Sequence, residues 1–308
     1  MSRVSNLTVK PTSLISDFKE ITKMRLSLSV VFSSIAGYLL GADVVSVYHI
    51  LLLSLGGYFM VGASNAFNQI IERDLDALMD RTKFRPIPAG RMSVNSAFLL
   101  ASLFTIFGII ILYIINPQTA MFGAISIFLY TSAYTPLKTK TPLAVFVGAI
   151  PGAIPFMLGW VAATNDFGIE PGTLFMLQFF WQFPHFWAIG WFLHDDYQKA
   201  GFNMLPTGKQ DKATATQTIM YTVWTIIVSI APVFGFDSPI SYSSTTLTTT
   251  RESSESTTNL SLRKSPVTIS RCLASRGTTF FTKRSNCSVV PVLPASVLCC
   301  LVFCLSVA

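Results

Sequence analysis

Asn68-Gln-Ile-Ile-Glu72-Arg-Asp74-Leu-Asp76-Ala-Leu-Met-Asp80-Arg81-Thr-Lys-Phe-Arg85-Pro86 closes a long apolar run with a dense charged cluster. Asn68, Glu72, Asp76 and Asp80 recur every fourth residue, so on a helix they form a single acidic stripe. Like charges at that spacing repel, and a carboxylate within a bilayer costs roughly 2.5–3.5 kcal/mol even on insertion scales, so the stripe demands compensating charge. A divalent cation supplies it: Mg²⁺ takes oxygen ligands and commonly shares one or two protein carboxylates with substrate phosphates. Arg81, Lys83 and Arg85 follow directly and suit the remaining phosphate charge. The stripe reads as a diphosphate site, against the plainer reading of a charged loop that only orients the chain. Asp74 lies roughly 200° from Glu72 at the helical pitch and is off the stripe.

The rest of the chain is unusually apolar. With 51% hydrophobic and 12% charged residues and a mean hydropathy of +0.54, its 308 residues exclude an ordinary soluble domain and predict an all-α, polytopic transmembrane bundle. Spans of bilayer length are expected near 26–42, 47–69, 97–115, 118–134, 142–163, 172–193 and 215–236. Residues 1–25 carry Arg3, Lys10, Lys19, Lys23 and Arg25 without an apolar core, which argues against a cleaved signal peptide and for a cytoplasmic N-terminal segment. All 15 Lys and Arg before position 237 fall in that segment or in alternate loops, and the loops around Asp43, Asn116 and Asn165–Glu170 have none. The positive-inside rule then places the N-terminus and the stripe in the cytoplasm. The expected location is a bacterial inner membrane. The net charge of +7 is mostly this topology signal, and the absence of an aromatic-interleaved basic stripe argues against nucleic acid.

Composition breaks near residue 237, dividing the chain into 1–25, a membrane domain over 26–236, and a tail over 237–308. Ser and Thr make up 23 of the 50 residues from Ser238 to Cys287, and all five cysteines follow the break while every Met and Trp precedes it. Such a stretch lacks the apolar residues to fold alone. A mucin-like linker ending in a short apolar anchor is one reading. The reading we favour is a frameshift, because apolar codons carry T in the second position and sliding it to the first yields Ser, Cys, Phe and Leu. Recovery of apolar spans from a shifted frame of the source DNA is the test.

Two further constellations lie among the predicted spans. Tyr134-Thr-Pro-Leu-Lys138 ends the fourth on the same side as the stripe; Lys138 suits a diphosphate as a point charge and Tyr134 as a hydrogen-bond donor, although an interfacial Tyr with basic anchors reads the same way. Trp181-Gln-Phe-Pro184-His185-Phe-Trp187 places a histidine in an apolar span, where it suits a flat aromatic ligand as axial ligand or donor, or is satisfied by a neighbouring helix. Asp195 and Asp196 follow at the end of that span and suit a second Mg²⁺ position facing the first. His49 reads as an interfacial bystander.

These motifs together resemble the UbiA superfamily of intramembrane prenyltransferases, and within it the branch that farnesylates haem. The similarity covers about residues 15–236 and rests on the 68–86 motif, Tyr134-Thr-Pro-Leu-Lys138, Val147-Gly-Ala-Ile-Pro-Gly152, Trp181-Gln-x-Pro184-His185-Phe186, Asp196-Tyr197 and Met204-Leu-Pro206. The resemblance implies a nine-span bundle around a central cavity, two of whose spans are not evident here. It implies transfer of a farnesyl group from farnesyl diphosphate to a vinyl group of haem B, giving haem O. By motif match, Asn68, Glu72, Asp76 and Asp80 serve Mg²⁺ and diphosphate, Arg81, Arg85, Lys138 and Tyr134 grip the diphosphate, Asp196 serves a second acidic site, and His185 contacts haem. Haem-modifying or oxidase-assembly proteins are the implied downstream partners. The rivals are prenylation of a quinone or chlorin precursor and a non-catalytic haem-binding or transport protein.

Overall fold

Apolar runs of bilayer length separated by capped loops produce the helices of the computed structural model, which describes residues 13–230. In chain order they are α1 (Leu14–Ile21), α2 (Met24–Gly41), α3 (Val47–Ile71), α4 (Arg73–Asp76), α5 (Val94–Ile115), α6 (Pro117–Phe128) continued by a π-helical segment (Leu129–Tyr134) and α7 (Thr135–Leu137), α8 (Ala144–Thr164), α9 (Ile169–Phe192), α10 (His194–Lys199) and α11 (Lys212–Ile230). No strand occurs among the described residues. Helix starts follow local chemistry: Ser93 accepts from Ser96 N at 3.1 Å, and Asn116 accepts from Thr119 N at 2.7 Å with Pro117 at the first helical position.

Six of the expected spans are long and apolar enough to cross a membrane. The sixth, now α9, has 24 residues, about 36 Å at the helical rise, but Glu170, Gln178, Gln182, His185 and two prolines dilute its hydropathy below that of the other six. Of the polar positions on α9, Gln178 and Gln182 are buried against protein, His185 is half-buried and Glu170, in the first turn, is exposed. The expected boundaries hold to within three residues except at the seventh span, whose end lies outside the described residues, as do positions 1–12 and the whole tail with its cysteines.

α8 is the centre of the bundle, packed against α2, α6 and α9, with 67% of its membrane-length window buried against 17% for α5. Gly37 of α2 and Gly159 of α8 let those two backbones touch: a Cβ at either would collide with a carbonyl oxygen of the other helix. α5 and α11 present Phe98, Ile106, Ile110, Ile219, Val223 and Ile227 outward, the apolar face that lipid requires. α8 contains Pro151 and Pro155, and Pro155 cannot donate to the carbonyl of Pro151. Ser126 of α6 donates to that oxygen at 3.3 Å instead, so the proline costs no unsatisfied carbonyl and ties α6 to α8 beside the cavity.

Candidate active site

The loops rich in Lys and Arg meet at one end of the bundle and surround a cavity of about 1020 Å³, at the top of the range for small-molecule sites. Its mouth is polar and its depth apolar, with Leu28, Val61, Pro155, Phe186 and Ile189 on the inner walls.

Three residues of the acidic stripe reach this cavity. Glu72 N donates to Asn68 O at 2.9 Å and Asp76 N donates to Glu72 O at 2.7 Å, so the helical register survives the break between α3 and α4 and stacks Asn68, Glu72 and Asp76 on one wall. All three are buried, Asp76 completely. Each carboxylate has a cation: Lys138 Nζ lies 2.7 Å from Glu72 Oε1, and Arg85 Nη1 lies 2.6 Å from Asp76 Oδ2. Burial works against the Lys138 ammonium, but the Glu72 carboxylate outweighs it and holds Lys138 above the usual lysine range. Lys138 also sits over the Tyr134 ring, 4.6 Å from its centroid. Tyr134 packs so closely on Gly148 that any side chain there would strike the ring.

Asp80 leaves the stripe. In a continuing helix its N–H would donate to Asp76 O; instead Thr82 Oγ1 donates to Asp76 O at 2.9 Å, and Asp80 N donates to Asp196 Oδ1 at 2.7 Å. The helix ends, and the Asp80 side chain turns outward to Lys83 at 2.6 Å and to Lys199. Asp196 likewise stands outside the cavity lining, accepting from the backbone of both Asp80 and Arg81, which depresses its carboxyl below the usual range although burial opposes this. Together these bonds pin the loop after α4 onto α10. The expected continuous stripe to Asp80, and a second carboxylate facing the first across the cavity, are therefore corrected: backbone amides claim the second carboxylate and the turn removes the fourth stripe residue. Arg81 and Arg85 remain on the cavity wall. His185 is not on that wall; its ring stacks on Trp181 at 4.6 Å. His49 lies among Tyr38 and Tyr48, away from the cavity.

Thr135 lies within the Tyr134-Thr-Pro-Leu-Lys138 motif but is not singled out there. Thr135 closes the π-helical segment, its hydroxyl donating to Tyr130 O at 2.8 Å and receiving Asn68 Nδ2 at 3.3 Å. A π-turn commonly marks a functional position in a helix; here it delivers the threonine that orients Asn68. Its signal, Tyr-Thr-Pro, is visible only once the helix register is known.

Hard oxygen ligands suit Mg²⁺, and a buried carboxylate oxygen without a hydrogen bond is an open ligand position. Asp76 Oδ1 is such an atom, and Glu72 stands one turn away, so the donor set fits a divalent cation of that class.

Residues 30–250 match the UbiA prenyltransferase family. The chain is 74% identical over 223 residues to protoheme IX farnesyltransferase of Christiangramia forsetii, covering 72% of this chain and 74% of that one. It is 70% identical over 227 residues to the enzyme of the same name from Flavobacterium psychrophilum, covering 73% and 76%. The fold resembles a digeranylgeranylglyceryl phosphate synthase with a TM-score of 0.61 at 18% identity over 71% of this chain and 77% of that one. It also resembles a UbiA homologue from Archaeoglobus fulgidus bound to GPP and Mg²⁺, with a TM-score of 0.59 at 16% identity over 70% and 77%. On the length and identity of these matches, this multi-pass membrane chain belongs to the UbiA prenyltransferase family.

Proposed function

We propose that the chain transfers the farnesyl group of farnesyl diphosphate to a vinyl carbon of haem B, giving haem O. The observation that carries the reading is the pair of buried carboxylates, Glu72 and Asp76, each already opposed by a cation, at the polar mouth of a cavity with apolar depth. Mg²⁺ held by Asn68, Glu72 and Asp76 would neutralise the departing diphosphate. Lys138, Arg85 and Arg81 are the cations that grip its oxygens, and Thr135 orients Asn68. The apolar inner walls hold the farnesyl chain and keep water from the allylic carbon as its bond to oxygen breaks. The diphosphate leaves with the electron pair, the vinyl carbon bonds to the allylic carbon, and water adds to the resulting cation with loss of a proton. The choice of haem rests on the two relatives named above; His185 stands outside the cavity lining, stacked on Trp181, and is proposed as a haem contact from its motif alone. The basic end of the bundle is proposed to face the cytoplasm of a bacterial inner membrane.

Membranes containing the full chain, supplied with haem B, farnesyl diphosphate and Mg²⁺, are expected to yield haem O by mass analysis of the extracted haems, and to yield none with EDTA. Absence of product with Mg²⁺ present would overturn the reading. Product formation by His185→Ala with an unchanged KM for haem would remove that residue from the acceptor site.

A further inference from the structure

Lys23 is the residue between α1 and α2, and its backbone is left-handed at φ 45° and ψ 57°. Among the described non-glycine residues only Asn165 shares a positive φ, and asparagine tolerates that region whereas lysine does not favour it. A strained lysine persists only where its surroundings over-determine it. Here α3 supplies the constraint. Gln69 Nε2, fully buried, donates to Ile21 O at 2.8 Å and Glu20 O at 3.3 Å; Asn65 Nδ2 donates to Thr22 O at 3.3 Å, and Ser27 Oγ to the same oxygen at 2.7 Å. The helix that carries Asn68 and Glu72 thus also fixes the turn, and the turn delivers the Lys23 side chain to the cavity lining.

At the cavity Lys23 differs from Lys138 and Arg85. Each of those has a carboxylate within 2.7 Å, whereas Lys23 makes no ion pair among the described residues. Burial, with the like charges of Arg85 and Lys138, lowers its ammonium to about 7. Lys23 is half-buried, and the carboxylates of Glu72 and Asp76 favour its charge only from a distance, each being taken by a nearer cation. An anionic group at the cavity mouth would restore the ammonium form and find in Lys23 a cation that no carboxylate already holds.

We infer that Lys23 is a substrate-binding residue whose ammonium takes an anionic oxygen, phosphate or carboxylate, of a molecule bound at the cavity mouth. The inference rests on the prenyl-transfer reading, whose two substrates offer one such group each: the diphosphate, and the propionate carboxylates of haem.

The full chain in detergent tests this by direct binding: inorganic pyrophosphate with Mg²⁺ by calorimetry, and haem B against its dimethyl ester by the Soret band. Lys23→Met keeps the stem and removes the charge. It is expected to weaken either pyrophosphate, or haem B but not the diester, by about 10- to 100-fold, the range for a lost charged hydrogen bond. The first result assigns Lys23 to the diphosphate and the second to a propionate. Lys23→Arg is expected to keep most of the affinity. Lys23→Gly relieves the left-handed strain, so it is expected to melt no lower than wild type while binding as weakly as Lys23→Met. Wild-type affinity of Lys23→Met for all three probes would overturn the inference alone, and a lowered melting point of Lys23→Gly would reassign the residue to structure. A wild-type chain that binds neither pyrophosphate nor haem would overturn the prenyl-transfer reading together with it.

Discussion

Asp76 and Asp80 are four residues apart and chemically identical, yet one is fully buried against Arg85 at the cavity and the other is 64% exposed in a surface ion-pair cluster. The difference is one hydrogen bond. Asp80 N–H goes to Asp196 rather than to Asp76 O, so the helical register that stacks Asn68, Glu72 and Asp76 stops one turn short. A side chain's role at this end of the bundle follows from where the backbone amides go. Asp196 belongs with Asp80 in this contrast, since its carboxylate is consumed by a loop.

The contrast is broken most severely at Asp76. Asp76→Ala is expected to lower farnesyl transfer by at least about 100-fold, on the order seen when one preorganised electrostatic group is removed. It also strands Arg85, only 15% exposed, and loss of one partner of a buried pair costs about 3–5 kcal/mol. The double change Asp76→Ala with Arg85→Met is expected to restore the melting temperature but not turnover. Recovery of both would show that the pair is structural.

Lys138→Met comes next. It leaves Glu72 buried and removes a diphosphate cation, and the KM for farnesyl diphosphate is expected to rise about 10- to 100-fold. A rise confined to the haem KM would move Lys138 away from the diphosphate.

Asp196 sharpens the comparison because it separates a metal ligand from a loop clamp. Asp196→Ala frees the loop that carries Arg81, and turnover is expected to fall about 10-fold, less than for Asp76→Ala, because misplacement of binding groups is costly. Asp196→Asn keeps an acceptor for the backbone and is expected to be milder, with the Mg²⁺ concentration for half-maximal rate unchanged. A large increase in that concentration would return Asp196 to the metal site.

What was legible in the sequence divides along the same line. The all-helical membrane fold, the span boundaries and the stacking of Asn68, Glu72 and Asp76 could be read from periodicity and charge, because bilayer length and helical pitch are local rules, whereas the cavity that Arg81, Arg85 and Lys138 also line was implied only by the family resemblance. The departure of Asp80 could not be read, since it depends on Asp196, 116 residues away. Lys23 gave no signal either: a lysine before an apolar run is ordinary, and its strain arises only when Asn65 and Gln69 of another helix hold the preceding carbonyls. α9 was expected as a span although its glutamines dilute its hydropathy, and burial gives them partners, as when Gln182 donates to Ala149 O at 2.9 Å.

The smallest effect is expected at Asp80. Its carboxyl is held at about 2 by hydrogen bonds from Lys199 and Lys83. A native pKa below the unfolded value means the carboxylate contributes stability above pH about 4, and the contribution is lost as the pH falls through about 2. At neutral pH the cluster is therefore fully formed, but exposed ion pairs are screened by solvent and salt and contribute little. Asp80→Ala is expected to keep turnover within about twofold of wild type, since backbone bonds from Asp80 and Arg81 to Asp196 survive the change. If Asp80→Ala instead matched Asp76→Ala in turnover and in Mg²⁺ dependence, the stripe would extend through all four residues when substrate is bound, and the turn after Asp76 would belong to an open form of the site.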